Sequence, residues 1–139
     1  CETAVKLYEA LSGKTAKAAI DNPFEDTTNS YVLKAFELGI VKGTSDTAFS
    51  PNNPITRQEI CVMIYRTLKA EDPSLDAGNS SAAQFADQNQ IAGWANDAVR
   101  FASENGIMKG TGGNKISPLN NTTREQAIVL MERTFESFE

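Results

Sequence analysis

Apolar residues fall at helical spacing in five places along this chain. Ala4, Leu7, Tyr8 and Leu11 sit at i, i+3, i+4 and i+7, and Ser12-Gly13 then stops the pattern. Val32, Ala35 and Phe36 give a shorter stripe; Trp94, Ala95, Ala98, Val99 and Ala102 give another. The two longest stripes are Ile60, Met63, Ile64, Thr67, Leu68 and Ala127, Leu130, Met131, Thr134, Phe135, the second extended by Phe138. The pattern predicts an all-α fold.

The short and long stripes come in pairs, and the punctuation between them is written twice. Gly39, Gly43, Pro51, Thr56 and Arg57 reappear as Gly106, Gly110, Pro118, Thr123 and Arg124, each shifted by 67. Five punctuating residues in register mark a repeat protein. Each long helix opens on a capping box, Thr56 with Glu59 and Thr123 with Gln126, in which the hydroxyl and the N3 side chain satisfy each other's backbone amides. Each short helix ends in Gly-Ile, so that Gly39 and Gly106 serve as left-handed C-caps. Gly43 and Gly110 are expected to turn the loop and to let a ligand approach the backbone. Phe24-Glu25-Asp26 and Phe85-Ala86-Asp87 lead into the units at an offset of 61, so the second unit carries six extra residues, which bring the sole Trp.

The expected organisation is therefore the closing helix of a truncated first repeat over 1–16, a repeat over 17–70, a Ser/Asn/Asp-rich linker over 71–84, and a repeat over 85–139. The chain begins at Cys1 and reads as a fragment or a processed product.

Composition removes several functions. A net charge of −5 with scattered Lys and Arg argues against nucleic acid as a partner. No apolar run reaches the ~18 residues of a membrane span. With no His, the commonest general base and metal ligand is missing, and neither a nucleophile motif nor a phosphate loop replaces it. An enzyme, a metal site and a cofactor are not expected. Cys1 and Cys61 form no metal spacing, and a disulfide, two thiols or an intermolecular link all fit.

In order, Phe-x-Asp, Gly-Ile-x-x-Gly, Ser-Pro and Thr-Arg-x-Glu make the chain resemble the S-layer homology domain from Phe24 to its end. The resemblance implies tandem helix-loop-helix repeats packed as a pseudo-threefold helical bundle, in an extracellular module associated with the cell wall or S-layer. It implies binding of secondary cell-wall polysaccharide, often through a pyruvylated amino sugar, in grooves between repeats. By motif position it makes Asp26, Arg57, Asp87, Trp94 and Arg124 ligand contacts. Three positions depart from the pattern: Tyr31 stands roughly where Trp would be in the first unit, Gln126 replaces Glu, and Ile116 replaces an aromatic.

Each of these residues also has a plain structural reading. Asp26 and Asp87 could cap the first helices, and Trp94 could pack in the core. Arg57 and Arg124 stand at N1, where the helix dipole disfavours a cation by roughly 0.3–1 kcal/mol. An arginine fork beside free helix-start amides would receive a carboxylate; the alternative is a salt bridge to a neighbouring repeat's Asp. The competing function is a protein-binding or self-assembly scaffold, with self-association through the incomplete first repeat.

Overall fold

The computed structural model describes residues 1–50, 53–75, 85–113 and 115–138. Pro51, most of the expected linker and the side chain of Arg124 lie outside the described residues. The chain forms α1 (Glu2–Ser12), α2 (Ser30–Glu37), α3 (Arg57–Glu71), α4 (Asn96–Glu104) and α5 (Arg124–Phe138). Two 3₁₀ turns, Gln88–Gln90 and Gly93–Ala95, precede α4. Among the described residues there is no strand, only isolated bridges, and no helix is long and apolar enough to cross a membrane. The fold is all-α.

Helices α1, α3 and α5 meet one another: α1 packs on α3 and on α5, and α3 packs on α5. Ala4, Val5, Leu7, Ile64, Leu68, Leu130 and Met131 supply the buried faces. The opening helix of each unit lies against the helix before it, α2 on α1 and α4 on α3. Each of the two units is thus fastened to the helix before it by burying an apolar stripe, and the bundle is continuous.

Local signals shape the units as the residues demand. The Thr56–Glu59 capping box is complete, and Thr123 and Gln126 exchange the same two bonds. At the ends of α2 and α4, Ile40 N donates to Ala35 O and Ile107 N to Ala102 O, both at 2.9 Å. Gly39 and Gly106, at φ 78° and 70°, make these reversals without Cβ strain. Both cysteines are free, and burial pushes the Cys61 thiol up to about 12.

Trp94 departs from the stripe that the sequence suggests. It belongs to a 3₁₀ turn, not to α4, so its register breaks from that of Ala98 and Ala102, and it is 62% exposed. The buried stripe starts at Ala95 instead.

Candidate functional site

The site is built from two loops and the helix starts they cover. In the first unit the Asp26 carboxylate accepts from the amides of Phe49 at 2.9 Å and Ser50 at 2.7 Å. In the second, Asp87 accepts from Ile116 at 3.0 Å and Ser117 at 2.8 Å. Ser50 and Ser117 both sit in the left-handed region, at φ 60° and 52°. That conformation costs a non-glycine residue about 1–3 kcal/mol, and two charge-assisted bonds from one carboxylate offset it. A hydroxyl pair, Thr44 with Ser50 at 2.6 Å and Thr111 with Ser117 at 2.5 Å, closes each loop again.

Neither aspartate caps a helix. Asn29 caps α2, and no side chain caps α4. The Phe49 and Ser50 amides hold the Asp26 carboxyl below the usual carboxylate range. At Asp87 burial is the largest single influence and raises the pKa, but the Ile116 and Ser117 amides together with Lys115 outweigh it. Gly43, at φ 90°, leaves no room for a side chain: a Cβ there would stand 2.6 Å from both Ala48 O and the Phe24 ring. Gly110 has no left-handed φ, and a Cβ would meet Lys115 O at 2.9 Å, so close approach alone accounts for it.

Arg57 reaches across the repeat boundary. Its Nε donates to Ile116 O at 2.8 Å and its Nη2 to Lys109 O at 2.6 Å, both in the loop of the following unit. The backbone repeats the connection: Arg57 N donates to Asn120 O at 2.8 Å, Gln58 N to Pro118 O at 3.0 Å, and Thr122 N to Ile55 O at 2.7 Å. The first amides of α3 are therefore not free for an anion, contrary to the expectation from sequence. A neighbouring loop satisfies them, because the start of α3 is buried under the next unit. Among the described residues Arg57 forms no salt bridge: Asp87 acts on it only at a distance. Burial lowers its pKa, yet a guanidinium remains charged at neutral pH.

Two kinds of side chain outside the motifs complete the frame. Gln58 is buried, and its Oε1 accepts from Ala92 N at 2.9 Å, tying α3 to the turn that carries Trp94. Arg66 donates to Ile40 O at 3.5 Å and Arg133 to Ile107 O at 3.3 Å, each holding the Gly-Ile corner of its own unit. The shift between them is again 67, so the same register that pairs Arg57 with Arg124 carried the signal.

The first loop, together with α1, α2, α3 and Trp94, encloses an open groove of about 910 Å³. Its wall runs from Tyr31 over Lys42, Gly43 and Ser50 to Arg66 and Trp94, so all the described repeats contribute. Tyr31 is flanked by Lys34 and Lys6, 5.2 and 5.8 Å from its ring centre. Among the acids on the wall, Glu2 is paired with Lys6 at 2.7 Å, and Glu59 is held in its capping box. Arg57, Asp26 and Asp87 do not line it: Asp26 clamps the loop that does, and Arg57 and Asp87 hold the second loop, which lies outside the groove.

A helical repeat array whose shaped surface is a groove of aromatic, cationic and backbone groups defines a recognition module. The chain belongs to the S-layer homology domain family, whose sequence pattern matches residues 23–61 and 84–128. It is 32% identical over 84% of its length to an endoglucanase of Bacillus sp. (strain KSM-635), covering 12% of that enzyme. It is 31% identical over 76% of its length to the surface-layer 125 kDa protein of Lysinibacillus sphaericus, covering 9% of that protein. A cell surface protein of Thermoanaerobacter kivui is 28% identical over 83% of the chain and 16% of its own length. The chain thus spans a small fraction of the curated relatives it matches, and the part shared with the enzyme is the non-catalytic S-layer homology region. Domains of this family bind cell-wall polysaccharide. The family and these relatives place the chain outside the cell, at the wall or S-layer.

Proposed function

We propose that this module anchors its parent protein to the cell surface by binding an acidic, pyruvylated wall polysaccharide in the groove between Tyr31 and Trp94. The observation that carries the reading is the large exposed indole of Trp94 on the same groove wall as Arg66. An indole face stacks on a sugar ring, and a guanidinium receives the carboxylate of a pyruvyl ketal. Gly43 keeps the loop closed on Phe24 and Ala48 O where it forms the groove wall. Asp26 is assigned to holding the groove wall, and Arg57 and Asp87 to holding the second loop against α3, because their polar atoms are committed to loop carbonyls and amides. Arg124 is assigned a ligand contact in the second unit, from its place in the Thr-Arg motif.

Calorimetric titration with wall polysaccharide of Lysinibacillus sphaericus, before and after mild acid removal of pyruvate, tests this. Binding to the intact polymer alone is expected. Trp94→Ala and Arg66→Gln should each weaken it about tenfold, the loss of one stacked ring or one charge-assisted bond. Equal binding to both polymers would remove the carboxylate from the reading.

A second reading, self-association, is favoured by one face of α5. Ile128 and Val129 are 44% and 41% exposed, and Ile128, Met131 and Phe135 line an open hollow of about 390 Å³ with Leu7 and Ala10 of α1. A sedimentation mass that rises with concentration and falls back in Ile128→Gln supports it; a constant monomer mass removes it.

A further inference from the structure

Trp94 stands between two hollows, not at the end of one. Beyond it lies a second depression of about 370 Å³, lined by Leu38 and Gly39 at the corner of α2, by Tyr65, Arg66 and Lys69 of α3, and by Asp97 of α4. Val62, Arg66 and Trp94 line both hollows, so the two share a wall. A single indole thereby borders both spaces.

The second hollow has its own chemistry. Lys69 Nζ stands 5.8 Å from the centre of the Tyr65 ring, one helical turn along the same face. Tyr65 is fixed by an edge contact with Phe101, at 5.2 Å between ring centres. Asp97, the acid on this wall, is paired with Arg100 at 3.2 Å. Arg66 and Lys69 therefore leave the hollow locally cationic in a chain whose net charge is −5. An apolar floor, a fixed aromatic ring and an excess of cations suit a sugar that carries a carboxylate or lies next to one that does.

We infer that the glycan surface continues past Trp94 and that this second hollow takes the adjacent sugar of the same acidic polysaccharide. The inference rests on the glycan reading of the first groove and adds a subsite to it. Lys69 contacts the adjacent sugar, Tyr65 forms the floor, and Trp94 separates the two rings. The consequence is a preference for polymer over isolated sugar, because the second subsite acts at the high effective concentration that a linked ligand provides.

The test uses oligosaccharides released from purified Lysinibacillus sphaericus wall polysaccharide, separated by length and titrated into the intact 139-residue chain. Affinity is expected to rise with length until both hollows are covered. Lys69→Ala should abolish that rise, weakening the longer fragments about tenfold while leaving the shortest binding fragment unchanged. Lys69→Arg, which keeps the charge, should restore most of the rise. Helical content of both variants, read by circular dichroism, should match the parent chain, since Lys69 is on the surface of α3. Wild-type affinity independent of length, or a Lys69→Ala profile equal to wild type at every length, overturns the second subsite and leaves the first groove standing. Absence of binding to any fragment overturns the groove reading and this inference together.

Discussion

Helices α3 and α5 carry the same motif at an offset of 67 and meet different surroundings. On α3, Cys61 and Val62 are 1% and 7% exposed; at the corresponding positions of α5, Ile128 and Val129 are 44% and 41% exposed. The sequence does not anticipate this, for both pairs are apolar. The difference lies in the elements that cover each helix. An opening helix and its 3₁₀ turn pack onto α3, whereas α5 packs along α1 and α3 and touches α4 at its end, where Phe138 stacks on Phe101 at 5.7 Å between ring centres. Val5 of α1 is fully buried, and α1 is likewise covered by an opening helix, α2. In a repeat array the burial of a residue is set by the neighbour as much as by its own unit. Identical motifs are therefore not energetically identical.

The contrast is broken most sharply by the same polar substitution at both places. Val62→Asn should cost about 2–4 kcal/mol, the loss of a buried side chain plus an amide without partners. Val129→Asn should cost less than about 1 kcal/mol, since much of that side chain is already in water. Urea unfolding followed by circular dichroism gives both numbers, and equal losses would mean that α5 is covered in solution, as self-association requires. Next in size is the arginine. Arg57→Ala should destabilise by about 1.5–3 kcal/mol, because Ile116 O and Lys109 O lose a charged donor. Arg57→Lys should recover little, since an ammonium cannot span both carbonyls as the planar fork does. A variant of unchanged stability that no longer binds wall polysaccharide would return Arg57 to the ligand.

Legibility from sequence tracks the range of each interaction. The caps of α3 and α5 and the Gly-Ile corners rest on bonds spanning three to five residues, and the residue types announce them. The partners of Arg57 lie 52 and 59 residues away, and nothing in Thr-Arg-x-Glu says which loop will cover the helix start. The aspartates were legible as recurring positions but not as loop clamps, because their amides lie 23 to 30 residues downstream. Trp94 read as part of a helical stripe because a 3.6-residue period was applied through a 3₁₀ turn. The tandem fold was legible because punctuation repeats; the groove was not, because it is made where units meet.

The smallest contrast concerns the two loop clamps and shows itself in acid. Both folded-state pKa values lie below the ordinary Asp value, so each carboxylate contributes stability above that value and loses it as pH falls through the folded pKa. The window lies below roughly pH 4, where an unfolded Asp takes up its proton. Asp87 is buried and Asp26 exposed, and water can replace a lost bond only at the exposed site. Asp87→Asn should therefore lower the urea midpoint at pH 7 more than Asp26→Asn does. For each variant the gap to the parent chain should narrow as pH drops below about 4, because the parent carboxylate is then being protonated as well. A gap that stays constant with pH would mean that the loop amides value the shape of the side chain and not its charge. The two loops would then differ only in burial, and the left-handed serines would be held by their threonine partners.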